Sequence, residues 1–337
     1  MNKKNIVTAL GYIFIGIIVV IAFVRISPFS NKPVTSELYS MNTIIDISIY
    51  GPDKEKAMNS IIKEIYKINS LVNDFSDASD VYKINKNAGI KPVVVNPITI
   101  DMIEKSLEIA KETNGAFDIT VYPLSKIWGF KGGKYRIPSK KEIEEALKLV
   151  SYKDVKINPQ NDTVFLKKAG EGIDLGGIAK GYTLDLIKKT LSCYSITSAL
   201  INMGGNILTY KMPPHGRYWK IGIKNPRGSG IAGVINIKGT KFISTSGDYE
   251  RYFIKDGIRY CHIMNPFTGY PSNKITSITV ISDKGYLGDA LSTAFFVEGK
   301  TYALKNAKKF HVSIIGFDRE LKHFISPEIS DLVTFEK

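Results

Sequence analysis

Oxygen-bearing side chains recur at helical spacing in residues 288–296, whose sequence is GDALSTAFF. Asp289, Ser292 and Thr293 stand at positions i, i+3 and i+4, and on a helix this spacing places them on one face. Mg²⁺ prefers oxygen ligands and often binds phosphate groups of a substrate as well. The segment therefore predicts a magnesium site, although an aspartate N-cap followed by a small polar face would show the same pattern.

A second segment, residues 172–182 with sequence GIDLGGIAKGY, is typical of a strand, a glycine turn and the start of a helix. Glycines let the backbone approach a ligand closely, and N–H groups at a helix N-terminus bind phosphate. The segment lacks the G-x-x-x-x-G-K-[ST] pattern of a P-loop and the third glycine of a dinucleotide-binding fingerprint. It indicates a phosphate-bearing ligand.

Candidates for proton transfer lie near two turn-rich stretches, TSGDYER at 245–251 and NPFTGYP at 265–271. His262 stands between them, and a positioned histidine is the most frequent general base. Asp248 competes for that role, while Lys180 or Arg251 could stabilise developing charge. A purely structural role for His262 is the alternative.

The composition narrows the class of protein. With 44% hydrophobic and 23% charged residues among 337, the chain is globular rather than disordered. Two cysteines without C-x-x-C spacing and four histidines without H-E-x-x-H argue against a disulfide scaffold and a histidine-built metal site. The net charge of +14 comes from lysines scattered among acidic residues, so we expect a solvated surface and no nucleic-acid partner.

The first residues form a separate unit. Asn5 to Val24 are uncharged and mostly apolar, a length that spans a bilayer core as a helix. Lys3 and Lys4 precede them, which favours a single-pass cell-membrane protein with an extracytoplasmic domain. A cleaved signal peptide is the alternative, but no A-x-A-like site follows. The sequence thus predicts an anchor at 1–25, a tether at 26–37 and one domain at 38–330.

Helical and β-type patterns mix along that domain. Alternating Ile45, Ile47 and Ile49 predict a strand at 41–51. Helical spacing predicts helices at 54–75 and 101–113, and a capping box predicts another that begins at Ser139. Further strands are predicted at 163–167, 199–210, 218–224, 233–237, 241–245, 251–254 and 274–282. This succession favours an α+β fold in which antiparallel sheets pack with helices.

Five ordered motifs then identify a family. GAFDIT at 115–120, DLGGIAKGY at 174–182, SGDYER at 246–251, HIMNPFTGYP at 262–271 and DALSTA at 289–294 resemble the FAD:protein FMN transferases of the ApbE family. The resemblance covers roughly residues 38–320. It implies an α+β fold outside the cytoplasmic membrane and Mg²⁺-dependent transfer of FMN from FAD to a Thr or Ser hydroxyl of an acceptor protein, with release of AMP. The implied acceptors are extracellular flavoproteins or subunits of Rnf complexes and of Na⁺-translocating NADH:quinone reductase.

The resemblance also assigns residues. It implies FAD contacts at Met41, Phe75, Ala116, Phe117, Asp118, Asp174, Lys180 and Ile263, and magnesium ligands at the Gly177 carbonyl, Asp289 and Thr293, with Ser292 where some members place a further carboxylate. Asn42 replaces the family's usual glycine after Met41, and the stretch that begins at Phe75 is shortened. An FAD pyrophosphatase with the same metal site, and a non-catalytic flavin-binding protein, are the alternatives to a transferase.

Overall fold

The computed structural model describes residues 32–336. The predicted anchor at 1–25 and the first part of the predicted tether lie outside this range. No helix within it has the length and apolar character needed to cross a membrane.

Helices and strands alternate along the chain. The α-helices are α1 (Lys54–Val72), α2 (Asp80–Lys86), α3 (Pro97–Glu112), α4 (Tyr122–Ile127), α5 (Lys140–Leu147), α6 (Ala179–Ser192), α7 (Gly285–Glu298) and α8 (Lys300–Ala307). The strands are β1 (Val34–Ser40), β2 (Thr43–Tyr50), β3 (Val93–Val94), β4 (Val155–Asn158), β5 (Thr163–Leu166), β6 (Ser198–Met203), β7 (Asn206–Tyr210), β8 (Trp219–Lys224), β9 (Ile231–Ile237), β10 (Lys241–Gly247), β11 (Tyr252–Lys255), β12 (Ile258–Cys261), β13 (Ser277–Ser282), β14 (Ser313–Phe317), β15 (His323–Ile325) and β16 (Val333–Phe335).

An eight-stranded sheet in the order β1-β2-β6-β7-β10-β13-β14-β15 forms the centre of the molecule. Every strand pairing described in residues 32–336 is antiparallel, and the register places Ile45, Ile47 and Ile49 of β2 in the core. The predicted α+β class with antiparallel sheets is confirmed.

Helices cover one face of this sheet and a smaller sheet, β16-β9-β8, covers the other. The apolar stripe of α1 packs with α6 and β2. Helices α6 and α7 cross at Gly181 and Gly285, where a Cβ on Gly181 would lie only 2.2 Å from the Gly285 carbonyl oxygen. Glycine at this crossing lets two helices that carry predicted site residues approach closely.

Two smaller units flank the main sheet. Sheet β3-β5-β4 packs with α2 and α3. An aromatic cluster around Trp128 and Phe130 supports the hairpin β11–β12, whose Phe253 and Tyr260 rings stack at 5.1 Å.

The structure corrects several predicted boundaries. Val34–Ser40 pairs with β2, so the folded domain begins inside the predicted tether, and β16 extends it beyond residue 330. The stretch 199–210 is two strands joined by a turn at Gly204 and Gly205, both with positive φ. The helix predicted at 101–113 begins earlier, because Asn96 caps it and Pro97 occupies its first turn. These errors arise where short strands and turns leave little periodicity.

Candidate active site

The glycine turn of residues 172–177 leads into helix α6 and is fixed on both sides. The Asn85 side chain accepts from Ile173 N at 2.7 Å and donates to Ile173 O at 3.0 Å. Asp174 N donates to Ile119 O at 2.7 Å, and Asp174 Oδ1 accepts from Gly176 N at 2.9 Å. The turn therefore presents its peptide groups at the N-terminus of α6 in a fixed arrangement.

A mostly buried lysine holds the Asp174 carboxylate. Lys131 Nζ lies 3.0 Å from Asp174 Oδ2 and 2.9 Å from Asp74 Oδ2. Burial opposes ionisation of Asp174, but the charge of Lys131 and the Gly176 N–H outweigh it and lower the pKa of Asp174 to about 2. The two carboxylates likewise raise the pKa of Lys131 against the effect of burial. We call Lys131, Asp74 and Asp174 the ion triad.

Cations also surround His262, which is half-buried at the end of β12. Its backbone N–H donates to Arg251 O at 3.0 Å, and its Nδ1 lies 3.3 Å from the same oxygen. Burial and the charges of Arg251 and Lys180 lower the pKa of His262 to about 3. Arg251 also acts on Asp174, so the ion triad and His262 share one electrostatic environment.

The predicted metal ligands converge on the first turn of α6. Asp289 Oδ2 accepts from Gly181 N at 2.9 Å, and Oδ1 accepts from Asn206 Nδ2 at 3.0 Å. A Cβ on Gly177 would lie 3.3 Å from Thr293 Oγ1, which places that glycine backbone against the Thr293 hydroxyl. We call Gly177, Asp289 and Thr293 the oxygen set.

The oxygen set fits Mg²⁺ as a partial ligand sphere. Asp289 is the only carboxylate in the oxygen set, and across residues 32–336 no group of three or more His, Cys, Asp or Glu side chains is placed to hold a metal ion. Mg²⁺ commonly binds one or two carboxylates and completes its sphere with water and substrate phosphates. The adjacent Asn206 Oδ1 is buried without a hydrogen-bond partner in the described part of the chain, and a bound water or cation would satisfy it.

Ser292, the fourth predicted metal ligand, is engaged elsewhere. Its hydroxyl donates to Asp289 O at 2.8 Å and shares a 2.8 Å hydrogen bond with Ser246 Oγ. These contacts join α7 to β10.

The residues predicted to contact FAD divide into exposed and buried members. Phe75 is 67% exposed, and its ring centroid lies 6.0 Å from Lys131 Nζ. Ala116 and Phe117 are buried, and a Cβ on Gly177 would lie 3.1 Å from the Phe117 ring. Ile263 is buried directly after His262.

Met41 occupies the two-residue turn between β1 and β2 together with Asn42. Both residues have positive φ, and asparagine adopts that conformation more readily than most residues, so it can replace the family's glycine. Met41 Sδ accepts from Thr183 Oγ1 at 3.7 Å, which places the turn against the first half of α6. Lys180 Nζ lies near the Gly176 carbonyl in the same helix start.

Two predicted carboxylates are already engaged. Asp118 Oδ1 accepts from the Thr120 N–H and hydroxyl, and Oδ2 accepts from Tyr152 N at 3.0 Å. This carboxylate stabilises the turn that presents Phe117, and burial raises its pKa. Both oxygens of Asp248 accept from Arg227, at 2.7 and 2.6 Å.

The sequence assigned no role to five residues that position the predicted ones, namely Lys131, Asp74, Asn85, Asn206 and Arg227. A separate cavity of about 1040 Å³ opens beside Asp74 and Tyr122, and none of the predicted site residues lines it. The geometry thus places the motif residues around the start of α6, next to this cavity but outside it.

The fold and site define an α+β protein in which a glycine turn at a helix N-terminus meets an oxygen set with a single carboxylate. The chain belongs to the ApbE family, whose model matches residues 41–315. It is 32% identical over 289 residues to an FAD:protein FMN transferase of Klebsiella pneumoniae (strain 342), covering 83% of this chain and 88% of that one. A transferase of Treponema pallidum (strain Nichols) is 29% identical and covers 77% of each chain.

Solved structures agree with this assignment. The crystal structure of the ApbE protein of Thermotoga maritima has a TM-score of 0.84 and 33% identity, covering 89% of this chain and 99% of that one. A mutant of the flavin transferase ApbE from Vibrio cholerae has a TM-score of 0.78 and 25% identity, covering the same shares. The predicted family is confirmed.

Proposed function

We propose that this chain is an FAD:protein FMN transferase that moves FMN from FAD to a Thr or Ser hydroxyl of an acceptor protein and releases AMP. The observation that carries this proposal is the meeting of the oxygen set and the glycine turn of Asp174 at the N-terminus of α6. Helix N–H groups attract phosphate, so the diphosphate of FAD fits beside these oxygens.

The residues of the oxygen set would hold Mg²⁺ through the Gly177 carbonyl, the Asp289 carboxylate and the Thr293 hydroxyl. Bound there, Mg²⁺ would neutralise negative charge on phosphate oxygens. Lys180 and Arg251 supply further positive charge near His262, and Phe75 offers an exposed ring for a planar ligand.

In the proposed reaction the acceptor hydroxyl oxygen attacks the phosphorus on the riboflavin side of the diphosphate. A new phosphorus–oxygen bond forms, the bond to the bridging oxygen breaks, and AMP leaves with that oxygen. His262 takes the hydroxyl proton. If its Nδ1–H donates to Arg251 O, Nε2 carries the free lone pair that a base requires.

His262 is the better candidate for the base because Asp248 has both oxygens hydrogen-bonded to Arg227. In the free protein, burial and nearby cations keep the pKa of His262 at about 3. The diphosphate of bound FAD would offset the charges of Arg251 and Lys180 and raise that pKa toward the range in which a base is effective.

One assay separates this proposal from the alternatives. The protein is incubated with FAD, Mg²⁺ and the soluble domain of a flavin-carrying subunit of Na⁺-translocating NADH:quinone reductase. A transferase leaves the acceptor fluorescent after denaturation and releases AMP. Free FMN and AMP with an unlabelled acceptor would indicate a pyrophosphatase, and unchanged FAD would indicate a binding protein.

We also propose that residues 1–25 anchor the domain on the outer face of the cell membrane. This proposal is supported by the uncharged stretch Asn5–Val24, which follows Lys3 and Lys4. Protease added to intact spheroplasts should digest the domain while the chain stays in the membrane fraction. Protection from the protease would contradict the proposed orientation.

A further inference from the structure

A two-stranded ribbon, residues 251–262, connects two groups of the site. Strands β11 and β12 are joined by Asp256 and Gly257, with φ of 51° and 74°, as in a tight type I′ hairpin. Arg251 lies at the base of one strand and His262 at the base of the other. The ribbon thus extends directly outward from the candidate base.

The outer edge of β11 carries unpaired backbone groups. His262 N–H donates to Arg251 O, so these two residues form a hydrogen-bonded pair. Pairs alternate along an antiparallel ladder, so Tyr252 and Ile254 direct their N–H and C=O groups away from β12. Within residues 32–336, no protein group accepts from or donates to these outward groups.

Exposure distinguishes the two edges of the ribbon. In β11, Tyr252, Ile254 and Lys255 are exposed, and Ile254 reaches 59%. In β12, Ile258 beside the turn is exposed as well, but Arg259 and Tyr260 are partly buried and Cys261 is buried where the strand approaches His262. An exposed edge with apolar side chains is a template for strand addition, and β11 has no lysine before its last residue to discourage it.

We propose that the outer edge of β11 binds the acceptor protein by strand addition, as an extended segment that carries the reacting hydroxyl. This inference rests on the proposed function. A segment paired with β11 continues toward Arg251 and His262, so main-chain pairing would deliver the hydroxyl residue to the candidate base. The ribbon carries Arg251, Lys255 and Arg259 against one acid, Asp256, which favours acidic side chains in the bound segment.

The test is Ile254→Pro, which removes one outward N–H, with Ile254→Val as the matched control. Proline is tolerated at an edge position whose N–H faces away from the partner strand. With FAD, Mg²⁺ and the quinone-reductase subunit domain described above, we expect about a tenfold rise in KM for the acceptor. The affinity for FAD, measured in EDTA, should not change.

A second variant, Ile254→Glu, keeps the N–H group and should retain the fold. It should raise the same KM, because its charge blocks the edge and repels acidic side chains of the bound segment. Hydrogen exchange should also show slower exchange of the Ile254 amide when the acceptor domain is bound. An unchanged KM in both Ile254→Pro and Ile254→Glu would overturn the inference. The inference would also be overturned if these variants kept the KM for the acceptor but lost self-association or binding to phosphatidylglycerol vesicles. If the unmodified protein labels no acceptor, the proposed function itself fails.

Discussion

Two carboxylates lie near the start of α6, Asp174 in the glycine turn and Asp289 on α7, and they are held in opposite ways. Asp174 pairs with a cation, Lys131 Nζ, at 3.0 Å. Asp289 accepts only from neutral groups, Gly181 N and Asn206 Nδ2, and it forms no ion pair within the described residues. A carboxylate paired with lysine has its charge compensated, whereas one held by neutral donors can still attract a metal ion. The comparison supports the proposal that the ion triad positions the turn and that the oxygen set binds a cation.

The largest effect should come from the oxygen set. Asp289→Ala removes its only carboxylate, and we expect FMN transfer to fall at least about 100-fold at saturating FAD. The variant also leaves the Gly181 N–H and the Asn206 amide without an acceptor, which costs about 1–3 kcal/mol of stability. Transfer rates across a Mg²⁺ titration, together with the free energy of unfolding, measure the two effects separately.

Asp185→Asn is the matched control. Asp185 lies on α6 and, like Asp289, accepts from neutral N–H groups, here those of Gly285 at 2.9 Å and Tyr286 at 2.8 Å. It belongs neither to the ion triad nor to the oxygen set. Its replacement should reduce stability by about 1 kcal/mol and leave the Mg²⁺ requirement unchanged. Normal transfer by a folded Asp289→Ala protein would refute the metal assignment.

The sequence predicted the oxygen set more completely than the ion triad. Asp289 and Thr293 share a helical face, so their spacing was compatible with a common site. The turn at Gly177 has its own glycine pattern, and the family resemblance implied that it joins them. Lys131 and its partners Asp74 and Asp174 are separated by more than 40 residues. No local pattern distinguishes Lys131 from a surface lysine, because its burial is created only by the tertiary fold.

The fold shows the same difference between features with a local sequence pattern and contacts that only the tertiary structure creates. The capping box at Ser139 is local, and it is observed with Glu142 Oε2 accepting from Ser139 N at 2.8 Å. The bidentate ion pair between Arg227 and Asp248 forms only because the loop between β8 and β9 contacts the end of β10 in the folded protein. Sequence reasoning left Asp248 as a possible base because nothing in its neighbourhood predicts that contact.

A smaller effect, on stability, should come from the ion triad. Lys131→Met leaves Asp74 and Asp174 mostly buried without their cation, and breaking such a pair costs about 3 kcal/mol at pH 7. Because the folded-state pKa of Asp174 is about 2, below its ordinary 3.8, this group contributes about 2 kcal/mol above pH 4, which is lost as pH falls toward 2. The stability difference from the unmodified protein should therefore narrow over that range.

Urea unfolding at pH 7 and at pH 2.5 measures this narrowing. Lys126→Met is the control, since Lys126 is exposed on α4, and its replacement should change stability by less than about 0.5 kcal/mol at either pH. A constant difference between Lys131→Met and the unmodified protein would mean that Lys131 does not set the ionisation of Asp174.

A smaller change concerns the charges around His262. Arg251 is one of the two cations that lower the pKa of His262, so Arg251→Gln should raise that pKa in the free protein. FAD added in EDTA to the unmodified protein should shift it in the same direction. NMR titration of the His262 ring measures both shifts. Arg259→Gln is the control, because Arg259 stacks on Tyr252 in the same ribbon, and an equal shift there would contradict a specific role for Arg251.

The smallest expected effect tests where the oxygen set ends. The Ser292 hydroxyl is hydrogen-bonded to Asp289 O and Ser246 Oγ, so Ser292→Ala should cost about 1 kcal/mol of stability. The Mg²⁺ concentration for half-maximal transfer should stay within about twofold of the value for the unmodified protein. A twofold change corresponds to a free-energy difference well below that of one hydrogen bond. Thr293→Val, which removes the neighbouring hydroxyl at nearly constant volume, should raise it. If Ser292→Ala raises the Mg²⁺ requirement as much as Thr293→Val does, Ser292 is itself a ligand, and the helix face predicted from the i, i+3, i+4 spacing acts as a whole.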